Sequence, residues 1–292
     1  MHPELFKIGP FTVYSYGLML GVAFIVASYI MGKEFERKKL DQNLATEITL
    51  LAIIFGIVGS KLFNLFENWD AFLKDPLIAF SPGGLTFYGG LILSIIAIWI
   101  YVKRKKIPFL VVADAASPSL ILAYGIGRIG CHLAGDGDYG VPTNLPWGVN
   151  YSHGTVPPSV MFRDFNFQKY FPEIAKRFPN GVPDNTPLHP APVYEFILAV
   201  IIFFILWKLR KKEWVDGKLF MYYLIFAGLE RFFIEFIRLN PRYLFGLTEA
   251  QLISTVMIVG GIVGLNYFSR HKDRPKFVPV VVKKEQTAKK NK

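Results

Sequence analysis

The stretch LFMYYLIFAGLERFFIEFI at residues 219–237 is apolar along most of its length, yet it contains Arg231 and Glu235. A second apolar stretch, ILAYGIGRIGCHLAG at 121–135, contains Arg128. Apolar runs of this length predict membrane-spanning helices. An arginine stays charged and costs about 2.5 kcal/mol or more in hydrocarbon, so it persists only beside a polar cavity or an anionic partner. Because a forked guanidinium suits phosphate oxygens, the two stretches predict a membrane protein that holds an anionic molecule.

The composition supports a membrane protein. Of the 292 residues, 52% are hydrophobic and 27 are Phe, and the mean hydropathy is +0.34. The net charge of +11 superficially fits nucleic acid. The basic residues nevertheless cluster in short segments beside apolar runs, as membrane topology requires, so no nucleic-acid partner is expected. The single cysteine, Cys131, excludes an intramolecular disulfide and any multi-cysteine metal site.

The hydropathy pattern predicts seven spans of about 20 residues each, and thus an all-α polytopic membrane protein. The predicted spans are 14–32, 47–66, 84–102, 111–134, 190–209, 217–237 and 249–268. Basic residues follow the first, third, fifth and seventh spans and are scarce on the other side. The positive-inside rule therefore places the N-terminus outside and the C-terminus in the cytoplasm. The start of the chain lacks a cleavage signal, so the first span is expected to be retained.

One connection is much longer than the others. Residues 135–188 are rich in Gly, Pro, Asp and aromatic residues, and the span count makes them extracytoplasmic. Aromatics such as Trp147, Tyr151 and Phe162 favour an ordered cap over a floppy linker. The chain thus divides into a seven-helix transmembrane domain at 1–271, with 135–188 as a head insertion, and a basic cytoplasmic tail at 272–292 near anionic lipid headgroups.

The sixth predicted span contains the strongest local group of charges. Arg231 and Glu235 are four residues apart, so they share one helical face and can pair, and Arg238 extends the charged stripe. One interpretation is a buried ion pair that locks two helices together. The other is an anionic substrate held by Arg231, with Glu235 orienting the guanidinium. The second arginine, Arg128, favours the functional interpretation.

Arg128 lies within a glycine-rich stretch at residues 125–140, which ends in GDGDYG. Its glycines allow close helix approach or exposed backbone amides. A calcium loop is an alternative for GDGDYG, although the other oxygen ligands of a full loop are not visible. The glycines of PGGLTFYGG at 82–90 are most simply explained by tight helix contact, with a broken helix beside a lipid-accessible cleft as the alternative.

Six motifs give the chain a family resemblance between about residues 10 and 268. They are YGLM (16–19), GGLTFYGG (83–90), DAASPSLILAYGIGRIG (114–130), HPAPVYE (189–195), ERFFIEFIR (230–238) and LTEAQLIS (247–254). In order and spacing the chain resembles bacterial prolipoprotein diacylglyceryl transferases. The resemblance implies a seven-helix enzyme of the bacterial inner membrane with a periplasmic head.

The same resemblance implies a reaction. The diacylglyceryl group of phosphatidylglycerol is moved to the lipobox cysteine of a preprolipoprotein signal peptide, and glycerol 1-phosphate leaves. By this resemblance Arg128 and Arg231 contact the lipid headgroup and the leaving phosphate. Glu235 positions Arg231, and Tyr16 donates a hydrogen bond to a headgroup oxygen. No metal or organic cofactor is expected, and membrane lipids are the remaining partners.

The chain also departs from the family pattern. Tyr88 stands where the family motif GGLSFHGG has a histidine. The family's G-R-x-G-N-F-x-N-x-E becomes GRIGCHLAGD, which aligns Asp136 with the family glutamate. A tyrosine with a pKa near 10 is a poor base at neutral pH. Either Tyr88 serves only as a hydrogen-bond donor, or another group, with His132 preferred, accepts the thiol proton.

The sequence leaves more than one interpretation for several residues and for the function of the chain. Cys131 is interpreted as a packing residue, with a covalent relay as the alternative. His189 is expected at a helix entry, Glu195 beside an arginine, and Asp114 as a cap or kink of the fourth span. Besides the transferase, two functions are considered: a phospholipid-binding homologue with lost or altered chemistry, and a small-anion transporter. The chain lacks visible inverted repeats, which disfavours the transporter.

Overall fold

The computed structural model of the chain describes residues 1–77, 86–163, 169–273 and 276–278. Most of the predicted tail at 272–292 and the first part of the glycine stretch at 82–90 lie outside the described residues. All statements below concern the described part of the chain.

Each of the seven predicted spans contains one long helix, and three short helices whose bounds lie within the described residues are found between them. The helices are α1 (Ser15–Arg37), α2 (Asn43–Glu67), α3 (Trp69–Lys74), α4 (Phe87–Arg104), α5 (Phe109–Ala134), α6 (Pro158–Met161), α7 (Pro172–Arg177), α8 (Ala191–Leu209), α9 (Lys218–Ile234) and α10 (Glu249–Arg270). The ends differ from the predicted ones by a few residues, because hydropathy reports the apolar stretch whereas a helix continues into polar residues that remain hydrogen-bonded.

Six of these helices are long and apolar enough to cross a membrane, as far as the described residues go: α1, α2, α4, α5, α8 and α10. The protein is therefore a mostly helical, multi-pass membrane protein. The seventh, α9, is 17 residues long. At about 1.5 Å per residue it falls short of a 30 Å hydrocarbon layer. The predicted count of seven spans accordingly depends on α9.

The all-α prediction is incomplete at the N-terminus. Strands β1 (Glu4–Ile8) and β2 (Phe11–Tyr14) form an antiparallel pair immediately before α1. The turn between them contains Gly9, whose φ of +58° is a left-handed conformation that glycine adopts without steric cost. Hydropathy alone does not reveal this hairpin, because its strands are short and exposed.

The described chain divides into two compact units. Within the described residues, one contains Met1–Ile30 and the chain from Val112 to Asp273, and the other contains Met31–Val111 with residues 276–278. In the second unit, α2 and α4 approach closely through glycines. A Cβ atom at Gly59 would lie 2.4 Å from the carbonyl oxygen of Gly89, and one at Gly90 would lie 2.6 Å from that of Gly56. The tight helix contact expected for the glycines of 82–90 is therefore confirmed for Gly89 and Gly90.

In the first unit, α5, α8 and α9 pack around an apolar core that includes Ile121, Ala199 and Leu219. Asp114 of α5 was expected to cap or kink its own helix, and it instead caps α9. Its carboxylate accepts hydrogen bonds of 2.8 Å from the backbone N–H groups of Gly217 and Phe220. The first amides of a helix lack intrahelical partners, so a carboxylate from a neighbouring helix satisfies them and complements the helix dipole.

The described part of 135–188 is ordered, as its aromatic content predicts. Tyr139, Tyr151 and Phe162 are buried together with Val182 and Leu188. Backbone bridges join Pro142 and Val149 to Leu188. Trp147 stays outside this core and donates a 2.8 Å hydrogen bond from Nε1 to the Tyr194 hydroxyl. The head is thus a small packed structure, and its side of the membrane remains a prediction.

Candidate active site

Arg128 and Arg231 converge on one carboxylate of the first unit, Glu195. Arg231 Nη1 lies 2.7 Å from Glu195 Oε1, and Arg128 Nε lies 3.4 Å from Glu195 Oε2. The three residues come from different helices: Arg128 from the C-terminal part of α5, Glu195 from the second turn of α8 and Arg231 from the last turn of α9. The convergence of the two arginines, expected from the sequence, is therefore present, and Glu195 pairs with an arginine as predicted.

A third arginine and two further carboxylates complete the group. Arg238 Nη1 lies 3.3 Å from Glu195 Oε2, and Arg231 Nη2 lies 3.0 Å from Glu235 Oε2. Asp138 forms short ion pairs with both Arg128 and Arg238. We call these six residues the arginine–carboxylate cluster: Arg128, Asp138, Glu195, Arg231, Glu235 and Arg238. The predicted contact between Glu235 and Arg231 is part of it.

The cluster has equal numbers of cations and anions, which differs from the sequence interpretation. From the sequence, Arg128 and Arg231 were expected to contact a lipid phosphate. In the structure each arginine of the cluster is instead paired with carboxylates of the chain. The physical reason is that a buried guanidinium without a counter-ion costs several kcal/mol in a medium that solvates charge poorly. Protein carboxylates stabilise the cations within the cluster.

Burial separates the members of the cluster into two groups. The side chains of Glu195 and Glu235 have no exposed surface, and that of Arg238 is 6% exposed. Those of Arg128 and Arg231 keep 18% and 20% of their surface exposed. The two arginines that the sequence assigns to the substrate are therefore the two that keep accessible surface, while Arg238 lies behind them.

Tyr124 supports the cluster from one turn below Arg128. Its hydroxyl donates a 2.7 Å hydrogen bond to Glu195 Oε1, and the Arg128 guanidinium lies 4.9 Å from the centre of its ring. Such cation–π contacts add about 0.5–2 kcal/mol, more where water is excluded. Sequence reasoning did not consider Tyr124, although its spacing of four residues from Arg128 on one helix was a usable signal.

Backbone pairing with the segment after α9 brings Asp138 to the cluster. Val141 N–H donates a 2.9 Å hydrogen bond to the Ile237 carbonyl, and Gly140 N–H donates one of 2.8 Å to the His189 carbonyl. A Cβ atom at Gly140 would lie 2.7 Å from the Ile237 oxygen, so only glycine allows this approach. The glycine-rich sequence therefore serves to bring the head backbone against the arginine-bearing segment.

The acidic residue that reaches the arginines is Asp138, two positions beyond the residue that the motif alignment selects. Burial opposes ionisation of Asp138, but Arg238 and Arg128 outweigh it, so its pKa is lowered. The pKa of Asp136 is raised, first by burial and then by the Asp138 charge. Positive φ angles at Gly135 and Gly137, +61° and +92°, turn the chain so that Asp138 faces the cluster.

The turn at residues 135–140 was also considered as a calcium loop, and its contacts test that alternative. Cys131, Asp136 and Asp138 offer ligand atoms within 4.8 Å of one another. Asp138, however, is already paired with two arginines, whose charge repels a cation. Calcium also takes six to eight oxygen ligands. The contacts among the described residues therefore disfavour a calcium ion at this place.

A sequence model of the prolipoprotein diacylglyceryl transferase family matches residues 3–267. The chain belongs to this family. A Clostridium tetani protein is 32% identical over 269 residues, which cover 91% of this chain and 97% of that protein. A Fusobacterium nucleatum protein is 32% identical over 281 residues, covering 90% and 96%. A Pseudoalteromonas atlantica protein is 30% identical over 272 residues, covering 89% and 86%. All three are named phosphatidylglycerol–prolipoprotein diacylglyceryl transferase, and the family expected from the motifs is confirmed.

The residues at which the chain departs from the prolipoprotein diacylglyceryl transferase pattern form no ion pair of the cluster. His132 Nδ1 lies 2.9 Å from the Tyr151 hydroxyl, in the head. Tyr88 lies in the first turn of α4, within the second unit. Cys131 is buried, and its sulfur lies 3.9 Å from Arg128 Nη1. The roles assigned to His132 and Tyr88 stay predictions.

Two other motif residues of the family have local roles. Tyr16, in the first turn of α1, packs against α5, since a Cβ atom at Gly130 would lie 3.2 Å from its ring. The Tyr16 side chain nevertheless remains partly exposed, so its hydroxyl role stays a prediction. His189 precedes α8 and lies 3.2 Å from the Tyr194 hydroxyl through Nδ1, which fits the expected place at a helix entry. Burial lowers the pKa of His189, so it is neutral at physiological pH.

Proposed function

We propose that this chain transfers the diacylglyceryl group of phosphatidylglycerol to the lipobox cysteine thiol of preprolipoproteins and releases glycerol 1-phosphate. Membership of the family and the names of the three relatives support this reaction. The observation that carries it is geometric: Arg128 and Arg231 share one buried carboxylate and keep their remaining surface accessible. This pair presents two forked donors side by side, as a phosphate diester requires.

In this proposal the arginines act on the leaving group. The thiolate attacks the glyceryl carbon next to the phosphate ester, the carbon–oxygen bond breaks, and the bonding electrons go to the phosphate oxygen. Negative charge on the phosphate therefore increases in the transition state. Cations held at that position bind the transition state more tightly than the ground state, which lowers the barrier.

Preorganisation of these arginines is the proposed role of the buried carboxylates. Glu235 fixes Arg231 from the same helix, while Glu195 holds both substrate-facing arginines from α8. Because ion pairs already set the guanidinium orientation, little reorganisation accompanies bond breaking. Arg238 is proposed as a positioning residue, since its side chain is almost entirely buried within the cluster. Tyr16 is the proposed donor to a headgroup oxygen.

The thiol must lose its proton before attack, since the thiolate is the nucleophile. His132 is the proposed proton acceptor, because it lies one turn beyond Arg128 on α5 and an imidazole titrates near neutral pH. Tyr88 is then a hydrogen-bond donor. A lipid-binding homologue without transfer remains the alternative, because Tyr88 replaces the family histidine.

The proposed disposition has seven spans in the bacterial inner membrane, with α9 the shortest. The N-terminus and the head at 135–188 face outside, residues 1–271 form the catalytic domain, and the tail at 272–292 is cytoplasmic. The distribution of basic residues supports this orientation. Direct pairing of Asp138 in the head with Arg128 in α5 supports a site at the head end of the helices.

The test is a reconstitution of the full chain in liposomes that contain phosphatidylglycerol, with a lipobox peptide as acceptor. We expect glycerol 1-phosphate release and a peptide mass increased by one diacylglyceryl group. A peptide with serine in place of the lipobox cysteine, and liposomes of phosphatidylethanolamine alone, are the controls. Binding of phosphatidylglycerol without release, followed by release from the Tyr88→His variant, would establish the lipid-binding alternative instead.

A further inference from the structure

A cavity of about 240 Å³ lies within the second unit, where α4 ends and α5 begins. Its walls include the apolar side chains of Trp99, Val102, Ile107 and Phe109, and its basic members are Lys103 and Lys106. The cavity therefore combines an apolar lining with two cations. It takes no part in the arginine–carboxylate cluster, all of whose residues belong to the other unit.

The two lysines of the cavity have no acidic partner among the described residues. Lys103 Nζ lies 4.8 Å from the centre of the Trp99 ring, a cation–π contact that leaves its charge uncompensated. The neighbouring Lys105, by contrast, lies 3.6 Å from Glu47. Lys105 does not line the cavity. Lys103 and Lys106, which do line it, are both without a carboxylate partner among the described residues.

Backbone geometry at Lys106 is unusual for a lysine. The end of α4 forms a Schellman motif, in which Ile107 N–H donates to the Val102 carbonyl at 2.9 Å and Lys106 N–H donates to the Lys103 carbonyl at 3.0 Å. This motif requires a left-handed residue, usually glycine, and Lys106 has a φ of +59°. A lysine is strained there. The sequence thus keeps a positive charge beside the cavity at a position that favours glycine.

We propose that this cavity binds the phosphate of an anionic phospholipid, with Lys103 and Lys106 at the phosphate and the apolar wall against the first acyl carbons. The cavity lies at the C-terminal end of α4, which is a candidate membrane span. This end is therefore expected at the membrane surface, where lipid headgroups lie. Tryptophan and lysine at a helix end are typical of that region. Basic pockets between membrane helices bind anionic headgroups. The first-turn amides of α5 add positive potential beside Phe109.

The experiment uses native mass spectrometry of the full chain with phosphatidylserine, an anionic phospholipid distinct from the proposed substrate. The variant is Lys103→Gln/Lys106→Gln. The matched control is Lys211→Gln/Lys212→Gln, which removes the same charge from the basic segment after α8, outside the cavity. Each basic residue near an anionic surface contributes a factor of about five. We expect the cavity variant to bind phosphatidylserine about 5- to 30-fold more weakly, and the control less than 2-fold.

Three outcomes would overturn the proposal: equal weakening in both variants, no weakening in either, or equally strong competition by millimolar inorganic phosphate. The first would mean general surface charge and the last a free-anion site. Circular dichroism of both variants separates a binding effect from loss of fold. Glycerol 1-phosphate release by the cavity variant is expected within 2-fold of the unsubstituted chain. Because lipid retention is measured without turnover, a failed transferase assay leaves this inference standing.

Discussion

Glu195 of α8 and Arg231 of α9 form the closest ion pair between two helices of the cluster, with 2.7 Å between Oε1 and Nη1. The carboxylate has no exposed surface, while the guanidinium keeps a fifth of its own. One side of the pair is thus fixed in the interior and the other faces outwards. This asymmetry explains how an arginine remains available to a ligand although it is paired within the protein.

Replacement of Arg231 by lysine is expected to lower kcat/KM for glycerol 1-phosphate release by about 100-fold, close to the effect of Arg231→Ala. Arg231 uses two different nitrogens for Glu195 and Glu235, and a lysine offers one point charge. Loss of one transition-state donor typically costs about 100- to 1000-fold. Arg242→Lys, outside the cluster, is the control and should retain activity. If Arg231→Lys keeps more than half of the activity, the assignment is wrong.

Glu195→Gln and Glu230→Gln form a matched pair, since both replace a buried carboxyl group by an amide of the same size. Glu195 pairs with three arginines, so its loss leaves uncompensated cations and should lower unfolding free energy by about 3–5 kcal/mol. Glu230 is 5% exposed and makes no ion pair among the described residues, and its Oε1 lacks a hydrogen-bond partner there. Its replacement should change stability by less than about 1 kcal/mol. Denaturant unfolding in detergent measures both, and equal effects would contradict the central role of Glu195.

His132→Gln is expected to slow transfer by about 100-fold and to flatten the pH dependence of kcat/KM, because a proton acceptor is lost. Tyr151→Phe removes only the hydroxyl that lies 2.9 Å from His132 Nδ1, so it reports the orienting contact. We expect a smaller loss and a retained pH dependence in that variant. An unchanged pH profile in His132→Gln would show that another group takes the proton.

Asp136 and Asp138 should respond oppositely to neutralisation. Two arginines lower the pKa of Asp138 against the effect of burial, so its ionised form stabilises the fold above about pH 4, and this contribution is lost as the pH falls through the depressed pKa. Burial and Asp138 raise the pKa of Asp136, so its ionised form is unfavourable at neutral pH, and this disadvantage disappears as the pH falls through the raised pKa towards 3.8.

At pH 7, Asp138→Asn is therefore expected to lower the thermal unfolding temperature, whereas Asp136→Asn should leave it unchanged or raise it. Scans between pH 3 and pH 8 measure both, with irreversible aggregation checked by rescanning. A loss of stability in Asp136→Asn at pH 7 as large as that in Asp138→Asn would rule out the assigned charge states.

Asp114→Ala is expected to destabilise the protein by about 1–2 kcal/mol, because two backbone N–H groups at the start of α9 lose their acceptor. Asp114→Asn keeps one acceptor oxygen and should lose about half as much. Unfolding in detergent measures the difference. The contrary result, an alanine variant as stable as the unsubstituted chain, would mean that water replaces the cap without cost.

The helices and most charged residues of the site could be predicted from sequence, whereas several contacts between distant segments could not. Long apolar runs leave few alternatives to a spanning helix, and the spacing of Arg231 and Glu235 fixes their contact within one helix. Contacts between distant segments depend on how helices pack. Asp114 finds its partner 103 residues later along the chain, at Gly217, and no local pattern indicates that pairing.

The choice between Asp136 and Asp138 shows a second limit. Both lie in one glycine-rich turn, and the motif alignment favours Asp136. Which carboxylate reaches Arg128 is decided by left-handed glycines at 135 and 137 and by the backbone pairing of residues 140 and 141 with residues 189 and 237. The direction of the backbone in such a turn depends on contacts with distant segments. Residue types alone therefore cannot show which of the two aspartates faces the arginines.

The order of charges along the chain has a consequence for how the protein enters the lipid during synthesis. Arg128 is followed by Asp138, then Glu195, Arg231, Glu235 and Arg238. Counted in the order in which the ribosome delivers them, the accumulated charge of the cluster never exceeds one unit of either sign. Arg128 is followed within 10 residues by its counter-ion Asp138, and each later charge of the cluster meets an oppositely charged member that has already been delivered. Assembly of the centre thus needs no stage at which several uncompensated ions wait together in the bilayer.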